Sequence, residues 1–429
     1  MERTYVCDVK NSIEHEILVK GWIHKIHDLG KITFVHLRDK TGIIQLIFDH
    51  GAPEHFRLEM SIQATGKKVE NPKAPGGIEL SVTGFDVLGK AYYEKLPFEI
   101  NRGKIKASLE TQLDYRTMSL RQPRTRAIFK VQEEITDAFR TYLRARRFSE
   151  IHTPKIISSS TEGGSEMFTV NYFEKRAFLA QSPQFYKQTM VGAGFERVFE
   201  VGHAYRAELH NTWRHLNEYV SLDIEMGFIK DETEIMDLEE GFIKHLFAHL
   251  KEKCKAELEL FNIELPVIDR IPRMELSYAH EVLLTKYGKK SPTGNIDAEG
   301  EVLLSQYIKE KYNSDFVFLT RYPVSKRPMY TMPADEDPTL TKSFDLIYKG
   351  LEITTGGQRI HDYQQLRDNI VKFGLNPDDF HSYLEAFKYG MPPHGGLAIG
   401  LERITLKVLD LENIRQSTLF PRDMKRIEP

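Results

Sequence analysis

Residues 206–228 read RAELHNTWRHLNEYVSLDIEMGF. Arginines, histidines and carboxylates crowd a short segment between two apolar, alternating runs. After it, Val220, Leu222, Ile224, Met226 and Phe228 alternate with Ser221, Asp223, Glu225 and Gly227. That period of two predicts a β-strand with one apolar and one polar face. Asp223 and Glu225 then point toward the side that Arg206 and Glu208 face from a preceding strand, Arg197–Glu208. A hairpin converging Arg, Glu, Asp and Glu on one face is costly to bury without a ligand. A solvated hairpin with surface ion pairs fits the pattern equally well. Two other stretches carry chemistry. LEITTGGQR at 351–359 brings Glu352, Thr355 and Arg359 together, with Gly356 and Gly357 predicting a turn. In QSPQFYKQ, Gln184 and Lys187 are three apart and share one face of a helical turn.

These residues need a scaffold, and 429 residues predict two or three domains. Hydrophobic and charged fractions of 41% and 28% are those of a globular protein, and no run approaches a membrane span. Two cysteines, Cys7 and Cys254, exclude a disulfide framework or a cysteine zinc site and predict a reducing, cytoplasmic setting. The net charge of −3 offers no global attraction for nucleic acid, so any RNA contact must be local.

Residues 1–88 predict a small barrel. Strand-like runs Glu16–Lys25, Ile32–Asp39, Ile43–Phe48 and Ile78–Val87 are separated by turn signals, with a helix expected over Glu54–Gln63. Five short strands and one helix fit an OB-fold, used on single-stranded nucleic acid. Residues 89–123 are polar and basic and predict a hinge. Arg102, Lys104, Lys106, Arg116 and Arg121 could there meet a phosphate backbone or simply solvent. From Pro123, Ile128, Val131, Ile135, Phe139 and Tyr142 or Leu143 follow helical spacing, and 231–262 predicts a second helical region.

The stretch RAELHNTWRHLNE resembles motif 2 of class II aminoacyl-tRNA synthetases and is closest to the aspartyl-tRNA synthetases. FSEIHTPKI (148–156) resembles motif 1, and GGLAIGLERITLKVL (395–409) resembles motif 3, in the same order. The compact length is similar to the archaeal-type form. One departure is Ala398–Ile399, where Gly-Leu-Gly is common. The resemblance implies an α+β (mixed α/β) chain: an N-terminal OB-fold anticodon-binding domain at 1–88, a hinge at 89–123, and a class II catalytic domain at 124–429. That catalytic domain has an antiparallel sheet flanked by helices, and motif 1 implies a homodimer.

It also implies ATP and Mg²⁺ as cofactors and L-aspartate and tRNA-Asp as substrates. No P-loop signature GxxxxGK[ST] and no class I signature is present, so arginines must hold the triphosphate. By resemblance, Arg206 contacts the α-phosphate, Arg403 takes the γ-phosphate or stacks on adenine, and Glu208 completes the catalytic set. Arg214, His215, Leu216, Glu352 and Gly400 join the ATP site. Gly395, Gly396 and Gly400 leave room for a base against the backbone. Glu352 and Thr355 supply oxygen to Mg²⁺. Thr161 and Glu162, on the Gly163–Gly164 loop, close over the amino acid. Gln184 and Lys187 hold its carboxylates, Lys187 with Arg359, and Asp223 takes the α-ammonium. Two cations for one side-chain carboxylate point to aspartate, since an asparagine amide is neutral. His210 and His215 touch phosphate or the acceptor end, or are packed loop residues.

In the barrel, Phe34 and Gln45 match residues that stack on and hydrogen-bond the central anticodon base, and Glu79 matches a third contact. His24 and Pro75 match the pattern of relaxed enzymes that also charge tRNA-Asn. Rival readings are an asparaginyl-tRNA synthetase, an ammonia-dependent asparagine synthetase and an inactive RNA-binding paralogue. Lys187 with Arg359, the intact barrel, and the retention of Arg206, Glu352 and Arg403 argue against each in turn.

Overall fold

The computed structural model describes residues 1–159, 166–210 and 212–428, which fall into two compact units, Met1–Gln122 and Pro123–Pro429. The first unit holds a closed five-stranded barrel in the order β1-β2-β3-β5-β4: β1 (Glu16–Asp28), β2 (Thr33–Arg38), β3 (Ile43–Phe48), β4 (Ser61–Glu70) and β5 (Ile78–Gly89). Alternation drives it. Ile17, Val19 and Ile23 of β1, Val35 and Leu37 of β2, and Leu46 of β3 fill the interior. The helix expected over Glu54–Gln63 is absent. Residues 51–60 form turns and Ser61 starts β4, whose Ile62 and Ala64 point inward. A strand there removes the open edge that four strands would leave.

The stretch expected to be a hinge carries α1 (Leu109–Asp114) and α2 (Arg116–Ser119), and through Gln122 it lies in the first unit. Two of its cations are structural. Arg116 is buried, which pushes it down to about 10, and Arg121 pairs with Glu59 at 3.0 Å.

The second unit is built on a sheet in the order β12-β13-β14-β15-β16-β11-β10-β6. Its strands are β6 (Ser149–Glu150), β10 (Arg197–Tyr205), β11 (Glu218–Gly227), β12 (Arg273–Glu275), β13 (Phe316–Thr320), β14 (Ser343–Tyr348), β15 (Leu351–Arg359) and β16 (His394–Gly400). The six inner strands are antiparallel; the outer pairs β12·β13 and β10·β6 are parallel. A small sheet of β7 (Ile156–Ile157), β9 (Lys175–Leu179) and β8 (Thr169–Tyr172) stands apart.

Helix α3 (Pro123–Arg144) buries the apolar stripe its spacing predicts. With α5 (Thr233–Lys253) and α6 (Lys255–Phe261) it covers one sheet face, against Phe199, Leu222, Ile224, Phe318 and Leu397. The opposite face carries the polar side chains. Around it lie α4 (Gln184–Met190), α7 (Leu276–Tyr287), α8 (Ala298–Tyr312), α9 (Tyr363–Lys372) and α10 (His381–Glu385), while α11 (Leu401–Val408) packs its apolar residues into the core with α3.

A carboxyl, Glu239, lies on the apolar side. Glu239 of α5 is fully buried, and its Oε1 accepts the Thr354 hydroxyl at 2.6 Å. Burial raises it to about 8, against the lowering by Thr354. It is therefore protonated in the fold at neutral pH. A raised folded pKa contributes stability that is complete below the usual value of 4.5 and is lost as pH climbs to 8. Glu239→Gln keeps a neutral group of that shape, so its urea midpoint should fall less than the wild type's between pH 5 and 8. Parallel midpoints would remove Glu239 from this titration.

Candidate functional site

The hairpin of β10 and β11 positions the first cluster. Register pairs Tyr205 with Glu218 and Glu200 with Asp223. Strand β10 ends at Tyr205, so Arg206 and Glu208 lie beyond it at the open end of the hairpin. Asp223 is five residues farther in, roughly 17 Å along the strand from Glu218. The four charges expected to converge therefore split into an outer and an inner site.

The outer site is a cavity of about 650 Å³ lined by Arg206, Glu208, Arg214, His215, Leu216, Glu352, Thr355, Gly400 and Arg403. Asn217 aims its first two members: its side-chain N–H groups donate to the backbone carbonyls of Arg206 and Glu208 at 2.7 and 3.0 Å. Arg403, on the first turn of α11, donates to the Glu352 carbonyl at 2.9 Å and lies 3.3 Å from its carboxylate. The Thr355 hydroxyl stands 3.4 Å from the same carboxylate. Burial, with Arg403 and Arg214 near, lowers His215 to about 4, so the ring is neutral; it hydrogen-bonds the Thr212 hydroxyl at 2.7 Å. His210 approaches the His215 ring but does not line the cavity.

Several lining residues escaped the sequence reading. Tyr219 offers an aromatic face with the Arg206 guanidinium 5.6 Å from its centroid. Its neighbour in the polar alternation, Ser221, was the available signal. Glu301 of α8 pairs with Arg214 at 2.8 Å and accepts the Glu352 N–H at 3.2 Å. Nothing local marks Glu301, because its role depends on α8 packing beside β15. Asp345 pairs across the sheet with Thr355, in one row with Ala398 and Asp223. It adds a carboxylate on the Thr355 side, now paired with Arg327 at 2.8 Å.

The inner site is a buried network. Lys187 Nζ donates to Asp223 Oδ1 at 2.9 Å and to the carbonyls of Ile224 and Leu397, and lies 3.5 Å from Glu225. Three bonds use all three ammonium hydrogens. The resemblance gives Lys187 to a substrate carboxylate; in the fold its ammonium is bonded to Asp223 and to two backbone carbonyls. Arg359 Nε donates to Glu225 Oε1 at 3.0 Å, and Arg359 also meets Gln184 Oε1 at 3.5 Å. Burial would raise Glu225, but Arg359 and Lys187 hold it below the usual carboxylate range. Glu225 thus joins both cations and was missing from the expected set. His394 is buried nearby and lowered to about 4, hence neutral. Thr161 and Glu162 lie outside the described residues.

The glycines need two corrections. Gly356 and Gly357 form no turn; they lie inside β15. A Cβ on Gly396 would stand 2.2 Å from Glu225 Oε2, so this glycine makes room for the buried carboxylate, and Gly395 packs against Gly357 and Ile229. Of these motif 3 glycines only Gly400 lines the cavity.

On the barrel, a second cavity of about 300 Å³ is lined by Lys25, His27, Phe34, His36, Gln45, Asn71 and Lys73. Gln45 donates to Glu79 Oε2 at 2.7 Å. His24 is not there. The β1–β2 register shifts between Ile23 and Lys25, which makes His24 a bulge residue. It is buried, with its Nδ1 2.7 Å from Arg38 Nη1, and Arg38 pairs with Glu59. Pro75 opens a short turn after Lys73 and does not line the cavity.

Comparison with known proteins agrees with this arrangement. Residues 108–424 match the family of class II tRNA synthetases (D, K and N), and 17–88 match the OB-fold nucleic acid binding domain. The aspartate–tRNA(Asp/Asn) ligase of Aeropyrum pernix is 46% identical, covering 96% of this chain and 95% of its own. The aspartate–tRNA(Asp) ligase of Pyrococcus horikoshii is 44% identical, covering 96% of each. The asparaginyl-tRNA synthetase of P. horikoshii, crystallised with asparaginyl-adenylate, superposes with a TM-score of 0.92 at 30% identity over both full chains. The barrel, the three ordered motifs and the arginine-lined cavity are those of one group, and the chain belongs to the class II tRNA synthetases of the D, K and N family.

Proposed function

We infer that this chain is an aspartate–tRNA ligase that charges tRNA-Asp and tRNA-Asn. The observation that carries the reading is one polar sheet face with two adjoining sites. The outer one has arginines for a triphosphate; the inner one has Arg359, Lys187, Asp223 and Glu225 for an amino acid. Full-length relatives at 44–46% identity support aspartate as the substrate.

In the first step an aspartate carboxylate oxygen attacks the α-phosphorus of ATP and pyrophosphate leaves. Arg206 faces the charge that grows on the α-phosphate. Arg403 holds the far phosphates or the base. Tyr219 supplies a flat face for adenine. In the second step a terminal ribose hydroxyl of tRNA attacks the aspartyl carbonyl and AMP leaves.

Glu352, Thr355 and Asp345 present hard oxygen donors of the kind Mg²⁺ takes, beside the cavity that receives the phosphates. Mg²⁺ there would neutralise phosphate charge. Arg359 takes the side-chain carboxylate, Lys187 fixes Asp223 for the α-ammonium, and Gln184 and Glu225 orient Arg359. Motif 1, at the end of α3, supports a homodimer. Among the described residues no helix is long and apolar enough to cross a membrane.

Pro75 supports dual tRNA use. Pro75 itself has neither a side-chain charge nor an N–H to offer the last anticodon base, at which the two tRNAs differ. Labelled aspartate should be attached to transcripts of both tRNAs, and labelled asparagine to neither. Pro75→Lys should lower charging of tRNA-Asn relative to tRNA-Asp by about 5- to 150-fold, the worth of one base contact. Equal loss on both would leave Pro75 a structural residue. A wild type that rejects tRNA-Asn would restrict the enzyme to tRNA-Asp.

A further inference from the structure

We propose that His36 is a positioning residue that locks the reading direction of Gln45 and so makes the barrel prefer uridine over cytidine at the central anticodon base. The proposal rests on the reading that Phe34 and Gln45 receive that base.

Register places Lys25, His36, Gln45 and Glu79 in one row across four strands. Phe34 lies in the adjacent row, between His27 and Ile47. A base stacked on Phe34 therefore presents its edge to the His36–Gln45 row.

The amide of Gln45 is held at both ends. Its Nε2 donates to Glu79 Oε2 at 2.7 Å, and its Oε1 lies 3.1 Å from His36 Nε2. An ionised carboxylate only accepts, so the NH₂ end belongs at Glu79. The carbonyl end then faces His36, which must carry its proton on Nε2. Asn71 donates to the same Glu79 oxygen at 2.9 Å and keeps that carboxylate in place. Burial lowers the His36 pKa, aided by Lys25 and His27 and opposed by Gln45, so the ring is neutral at pH 7 and donates through this one tautomer.

What remains of the amide is one free N–H and one carbonyl lone pair. That pair complements uracil, which offers O4 as acceptor and N3–H as donor. Cytosine offers the reverse, N4–H as donor and N3 as acceptor. To read cytosine, Gln45 must turn over. Its carbonyl would then face the Glu79 carboxylate, and its NH₂ would face the His36 N–H. Both clashes oppose the turn, and His36 supplies one of them.

The test is aminoacylation of two tRNA-Asp transcripts that differ only in uridine or cytidine at the central anticodon position, scored as the ratio of kcat/KM. His36→Phe should lower the uridine preference about 3- to 10-fold, the worth of one hydrogen bond. His36→Asn, which keeps an N–H donor, should retain part of the preference. ATP–pyrophosphate exchange, which needs no tRNA, should be unchanged in both variants. If both transcripts weaken equally in His36→Phe, His36 only supports the barrel and the proposal fails, while the reading of Gln45 stands. If Gln45→Ala itself leaves the preference untouched, Gln45 does not read the base, and the proposal falls with the reading beneath it.

Discussion

L-Aspartate should support ATP–pyrophosphate exchange at least about 10³-fold better than L-asparagine, the discrimination open to a site whose buried polar groups are left unpaired by the wrong ligand. The reason lies in how the inner site is filled. Lys187 is bonded to Asp223 and to the carbonyls of Ile224 and Leu397, beside Glu225. Arg359, held by Glu225, Gln184 and the Gly396 carbonyl, is the guanidinium the proposed reading gives to the side chain. A carboxylate oxygen accepts from a guanidinium; an amide NH₂ turned toward it brings donor against donor. Arg359→Gln should therefore abolish aspartate-dependent exchange. A folded Arg359→Gln protein with near-normal exchange would take Arg359 out of substrate binding. Comparable exchange with asparagine in the wild type would instead move the chain to the asparaginyl branch, whose fold it shares at a TM-score of 0.92.

Arg206→Ala should lower exchange by about 10² or more, as expected for losing a donor aimed at developing charge. Asn217 ties down the Arg206 backbone and the Tyr219 ring flanks its guanidinium, so the group is pre-aimed before ATP arrives. Arg206→Lys should rescue little, because a point charge lacks the planar fork. The readout is kcat for exchange with thermal stability measured alongside. An Arg206→Ala protein that stays folded and keeps its kcat while KM for ATP rises would make Arg206 a ground-state anchor only.

Much of this was legible in the chain. Period-two alternation marked β10 and β11, helical spacing marked α3, and the order of three motifs marked the family. The alternation and the helical spacing are local, each read within one contiguous stretch, and each motif is a short run of its own. The missed elements depend on distant ones. Ser61–Glu70 is a strand because β1 and β5 offer edges on both sides, and no local rule could choose that over a helix. His24 falls on a one-residue bulge and is buried against Arg38, which pairs with Glu59, away from the cavity lined by Phe34 and Gln45.

The site divides in the same way. Sequence alone pointed to the candidate side chains: Arg206, Glu208, Glu352, Thr355, Arg359 and Arg403 are recognisable as residue types at telling places. Only the tertiary structure decided how they are grouped and which partners each one meets. Register across β14, β15, β16 and β11 lines up Asp345, Thr355, Ala398 and Asp223, residues up to 175 positions apart. The same packing ties Lys187 to Asp223 and seats Glu225 against Gly396. A buried charge must find its partner wherever the fold brings one, because leaving it unpaired costs about 3–5 kcal/mol. That choice of partner is made by contacts remote in the chain, and so it could be read only from the folded protein.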